Sequence, residues 1–126
     1  KAPGIKGGVQ TTAITEFIDI YPTLCDLANL PKPDHLDGKS FVCELENPDN
    51  YFKDYAYSRY HWGESIISDR YIYTEWMRDS GDVYGRMLFD HESDPKENVN
   101  VAEQPEYAEL VSKMKGQLDE VRQAID

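Results

Sequence analysis

Alternation comes first along this chain. Between Arg70 and Trp76, Tyr71, Tyr73 and Glu75 alternate with Ile72, Thr74 and Trp76, which is the period of a strand with two unlike faces. A second short apolar run, Met87-Leu88-Phe89, stops at Asp90, and Asp94-Pro95 supplies turn chemistry behind it. The polar, glycine-bearing stretch from Arg78 to Gly85 joins the two as an antiparallel hairpin. Upstream, Tyr55, Tyr57 and Arg59 share one face of a strand and Ala56, Ser58 and Tyr60 the other. Gly63 breaks that run, and Ser65 to Ser68 gives a further short strand. Four strands with short links predict antiparallel neighbours.

Helical periods flank this block. Tyr107, Leu110, Val111, Met114, Leu118, Val121 and Ile125 recur at spacings of one, three and four, with Pro105 at a helix start. The spacing predicts one long C-terminal helix on one face of the sheet, an α+β layer arrangement. Near the other end, Phe17, Ile18, Ile20, Tyr21, Leu24, Leu27 and Ala28 form a wide apolar stripe, so a helix is expected over about 15–29. Pro22 cannot donate to a carbonyl four residues back, which places the regular helix from near Asp19 or Tyr21 after a looser turn, and Asn29 and Pro31 end it. That stripe requires a partner surface, in the chain or in a second copy of it. Lys1 to Gly8, with three glycines and a proline, reads as a cut end, and Pro31 to Asn50 as an extended connector with an Asp37-Gly38 turn. The expected division is 1–50, a helix and connector, and 51–126, the sheet with its helix.

Composition narrows the function classes. Of 126 residues, 40% are hydrophobic and 12% aromatic, enough for a core despite 29% charged residues. The net charge of -11, without any cluster of Lys or Arg, argues against nucleic acid or an anionic membrane surface as a partner. No apolar run approaches the roughly 18 residues of a membrane span, and no leader pattern is present. Cys25 and Cys43 form neither a disulfide framework nor a zinc motif; Cys25 is expected in the core and Cys43 half-buried.

Few residues carry chemistry. Asp90, Glu92, Asp94, Glu97 and Asn98 offer oxygen donors suited to calcium, but not in EF-hand order, and a solvated strand end and turn with His91 exposed is the favoured reading. His61, Trp62 and Glu64 bracket Gly63 at a bend between strands, where an aromatic face, an imidazole and a carboxylate can meet a sugar ring; the competing reading makes Trp62 core. His35 has no partner in the pattern. Neither a Gly-x-Ser-x-Gly nucleophile nor a phosphate-cradling glycine loop occurs.

Several segments in order resemble the sulfatases of the alkaline phosphatase superfamily, iduronate-2-sulfatase-like members in particular. They are Phe17-Ile-Asp-Ile-Tyr-Pro-Thr-Leu-Cys-Asp-Leu-Ala28, Leu36-Asp-Gly-Lys-Ser40, Ser65-Ile66 through Tyr71-Ile-Tyr-Thr-Glu-Trp76, and Leu88-Phe-Asp-His-Glu-Ser-Asp-Pro95 with Glu97 and Asn100. The resemblance implies a large N-terminal α/β catalytic domain, missing here, followed by a small antiparallel sheet with a final helix. It also implies, for the parent enzyme, a formylglycine made from the Cys or Ser of a Cys/Ser-x-Pro-x-Arg motif, a calcium ion held by carboxylates, a sulfated carbohydrate as substrate and an exported location. Ser93-Asp-Pro-Lys-Glu97 imitates the motif but has Glu97 where Arg is required, and Ile67 and Ile72 stand where relatives often carry Arg. The expectation is the C-terminal portion of a sulfatase, non-catalytic alone, with no cofactor of its own, capping the fold and lining the sugar cleft through His61, Trp62 and Glu64. The alternative is an acidic interaction module without an enzymatic parent.

Overall fold

The computed structural model describes residues 2, 4–50 and 52–125, so residues 1 and 51, where the two expected segments begin, lie outside it. The chain divides into two compact units, Lys1–Asp54 and Tyr55–Asp126.

In the first unit a 3-10 turn, Phe17–Asp19, leads into helix α1, Ile20–Leu27. Pro22 is buried near the start of α1, where its missing N–H costs nothing. The apolar stripe faces outward: Phe17 is 91% exposed, and Ile18, Ile20, Tyr21 and Leu24 are all exposed. Besides Pro22 and Cys25, what this unit buries is polar. Asp19, wholly buried, accepts hydrogen bonds from the backbone N–H of Glu16 at 2.8 Å and of Lys39 at 2.9 Å, and from Lys53 Nζ at 2.7 Å. Burial alone would raise its carboxyl pKa, but these donors, Lys53 foremost, hold it below the ordinary value. Thr23, one turn further on, donates to the Asp19 carbonyl at 2.6 Å and accepts the Phe41 N–H at 3.0 Å. The connector carries a short helix that the sequence pattern does not show, α2, Val42–Glu46. Cys25 is buried as expected, whereas Cys43 is exposed on α2 rather than half-buried; both are free thiols.

The second unit is a four-stranded antiparallel meander in the order β1 (Ala56–Tyr60), β2 (Gly63–Ile67), β3 (Tyr71–Met77), β4 (Val83–Asp90). Helix α3, Ala108–Ile125, enters through a 3-10 turn at Pro105–Tyr107. Ile66, Tyr73 and Leu88, on neighbouring strands and in register, meet Ala102, Met114 and Leu118 to form the core. Each such aliphatic side chain contributes about 1.5–3 kcal/mol on burial. The α+β sheet-and-helix layers are those the periodicities predict. Two strand ends differ. β4 starts at Val83, inside the expected loop, because its backbone pairs with Met77 across a bulge even though Val83 and Tyr84 bury little. Gly63 belongs to β2 and does not break the sheet; it lies opposite Trp76, whose indole occupies the place of a side chain, 2.9 Å from where a Cβ would stand. The outer edge of β4 is closed by Asn100, which accepts from the Leu88 N–H and donates to the Arg86 carbonyl, each at 2.9 Å.

Candidate functional site

The β1–β2 connection is a two-residue turn, His61-Trp62, closed by the Tyr60–Gly63 pair. His61 has φ +51, the left-handed conformation that a tight hairpin demands and that non-glycine residues adopt at a cost of order 1 kcal/mol. Its ring sits edge-on to Tyr60 with centroids 4.4 Å apart. The Trp62 carbonyl accepts the Met77 N–H at 2.8 Å, which ties the tip to the end of β3. Trp62 is 49% exposed, so it is not core. An aromatic face and an imidazole thus stand together in solvent on a backbone fixed from both sides.

Glu64 does not join them. Alternation turns its side chain to the face covered by α3, where it is 3% exposed and directly opposite Glu75, itself wholly buried. Two carboxylates facing each other across strands repel, and Arg122 near the end of α3 answers both. Its Nε donates to Glu64 Oε2 at 2.5 Å and its Nη1 to Glu75 Oε2 at 2.8 Å, with Asp119 at 3.1 Å. The other oxygens are also occupied: Tyr57 donates to Glu64 Oε1 at 3.1 Å with Arg59 at 3.5 Å, and Tyr73 donates to Glu75 Oε1 at 2.8 Å with Arg86 at 3.7 Å. Burial and the Glu75 carboxylate push the Tyr73 hydroxyl far above the ordinary tyrosine range; burial would lower Arg122, but Glu64 and Glu75 raise it. A small cavity of about 210 Å³ between Tyr57, Arg59, Glu64, Met77, Arg122 and Ile125 opens beside this cluster. Arg122 escapes a reading by periodicity because it lies at a helix end; the signal was a charge, Glu75, inside an otherwise apolar strand.

The acidic stretch after β4 has its own partners. Asp90, buried, takes both donors of Arg70 at 2.7 Å, and this fork holds its carboxyl well below the ordinary value; Arg70 also pairs with Glu92. Asp94 accepts from Asn98 and the Val99 N–H at 2.8 Å, and His91, half-buried rather than exposed, meets Glu97 at 2.9 Å. These oxygens close turns instead of converging on a point, and among the described residues no group of three or more His, Cys, Asp or Glu side chains is placed to hold a metal ion. The described side chains of this acidic stretch are thus committed to one another and do not fit a calcium site.

Residues 2–124 match the family model described as N-sulphoglucosamine sulphohydrolase, C-terminal. Among curated proteins, an arylsulfatase of Clostridium perfringens is 32% identical over 84% of this chain and 22% of its own length. The Delta 4,5-hexuronate-2-O-sulfatase of Bacteroides thetaiotaomicron is 28% identical over 94% of the chain and 26% of its own length. The chain thus spans about a quarter of the relatives it matches. Among solved structures, a 2-O GAG sulfatase superposes with TM-score 0.65 at 29% identity, covering 82% of this chain and 23% of that one. A phosphonate monoester hydrolase from Silicibacter pomeroyi reaches TM-score 0.73 at 25% identity, covering 98% and 28%.

Proposed function

Since the chain belongs to the N-sulphoglucosamine sulphohydrolase C-terminal family of sulfatases, we propose that it is the C-terminal portion of an exported sulfuric ester hydrolase acting on sulfated carbohydrate, and that its His61-Trp62 tip lines the sugar cleft. The sheet and helix cap the fold. Catalysis belongs to an N-terminal domain, the partner of the exposed α1 stripe, which supplies the nucleophile and metal that this chain's residues do not fit. Formylglycine and calcium would there provide attack on sulfur and charge stabilisation. Support for a sugar comes from relatives named for 2-O-sulfated hexuronate and GAG substrates.

The observation that carries the reading is the tip itself: half-exposed Trp62 and His61 on a strained turn, bonded through the Trp62 carbonyl to β3. An indole face stacks on the apolar face of a pyranose, and an imidazole donates to a hydroxyl or sulfate oxygen. Losing one such contact costs roughly 1–3 kcal/mol, tenfold to a hundredfold in affinity. In the full-length enzyme, His61→Ala and Trp62→Ala should each raise KM for a sulfated disaccharide by that factor and leave Tm nearly unchanged. A lowered Tm with an unaltered KM defeats the proposal. The Silicibacter relative recommends adding a phosphonate monoester to the substrate panel, since the same C-terminal layout accompanies that activity.

A further inference from the structure

Among the described residues the buried apolar core stops short of the hairpin tip. Ser58, Arg59 and Tyr60 on β1 are exposed, with Tyr60 71% exposed, and the core residue nearest in β2 is Ile66. At the level of the tip the three strands instead carry Arg59, Glu64 and Glu75, consecutive partners in register. Without a counter-charge, Glu64 and Glu75 would face each other buried, one residue from the contact where Trp76 covers Gly63. Repulsion there would part β2 from β3 and carry the Met77–Trp62 hydrogen bond with it.

We propose that Arg122 is the positioning residue of the His61-Trp62 turn: by donating to both Glu64 and Glu75 it locks β2 to β3 beneath the tip and so sets where the turn stands against the sugar. The inference rests on the reading of that turn as sugar-facing. The side chain suits the task because its planar fork donates in two directions at once, which an ammonium on a flexible stem does less well. Tyr57 and Arg59 bring β1 into the same cluster through Glu64 Oε1. A movement at the end of α3 is therefore a movement of the tip.

The test uses the full-length enzyme. Arg122→Met alone leaves two opposed buried carboxylates and risks the fold, so it is paired with Arg122→Met/Glu75→Gln, which spares the fold that repulsion while still removing the donor that joins β2 to β3 beneath the tip. The double variant should raise KM for a 2-O-sulfated disaccharide about tenfold and hold kcat within about twofold. KM for p-nitrophenyl sulfate, too small to span from the sulfate to the tip, should not move. Arg122→Lys should recover part of the loss. Trp62→Ala, measured in parallel, separates the two readings. If Trp62→Ala raises the disaccharide KM and the double variant does not, the positioning role is wrong while the cleft reading stands. If neither changes KM, both fall. A loss shared equally by the two substrates marks a general structural role and likewise overturns the proposal.

Discussion

Gly38→Ala should unlatch the first unit. A Cβ at residue 38 would stand 2.0 Å from the Ile18 carbonyl oxygen, 2.4 Å from its carbon and 2.9 Å from the Asp19 nitrogen. These are backbone atoms of the 3-10 turn, so no rotamer change relieves the clash, and the two segments must part by more than about 1 Å to reach ordinary contact. Overpacking of this kind costs about 1–3 kcal/mol. The displacement also pulls the neighbouring Lys39 N–H from Asp19 Oδ1, a hydrogen bond to a buried charge that is worth about 1.5–3 kcal/mol. Together they predict a loss of about 3–5 kcal/mol, or more than a hundredfold in the local opening equilibrium. Hydrogen exchange reads it directly: the amides of Lys39 and Phe41, bonded to Asp19 and Thr23, should lose protection by that factor. Gly7→Ala, with nothing within 4 Å of its Cβ, is the control. Equal protection in the two variants would refute the close-approach argument.

Two further changes probe the second unit. Asp90 has its folded pKa depressed by Arg70 below the ordinary 3.8, so its contribution is present above that value and drains away as pH falls beneath it. Asp90→Asn should lower Tm at neutral pH and flatten its decline below about pH 4; parallel Tm–pH curves would contradict the assignment. Gly116 is exposed in the middle of α3 with open space around it, and Gly116→Ala should stabilise by about 0.5–1 kcal/mol, seen as a higher urea midpoint at an unchanged slope.

The order of strands and helices was legible because each buries one face. Tyr73 between Ile72 and Thr74, and Met114 four residues before Leu118, declare their faces without knowledge of what covers them. The His61-Trp62 turn was legible for a related reason, since a break in strand alternation marks a bend. Three features were decided only when distant segments met. Gly38 looked like a turn residue, yet it is glycine because the Ile18–Asp19 backbone passes over it, 20 residues away for the Asp19–Lys39 bond. Gly63 looked like a strand breaker, and it sits in β2 because Trp76 fills its side-chain space. Glu64 looked like a companion of Trp62 in the sugar cleft. Strand alternation sends it to the other face, and there Arg122, 58 residues on, turns a pair of buried carboxylates into a lock. Periodicity reports which face a residue takes, because that follows from the geometry of its own element. The partner waiting on that face is set by close packing between elements, and no local pattern of residues encodes it.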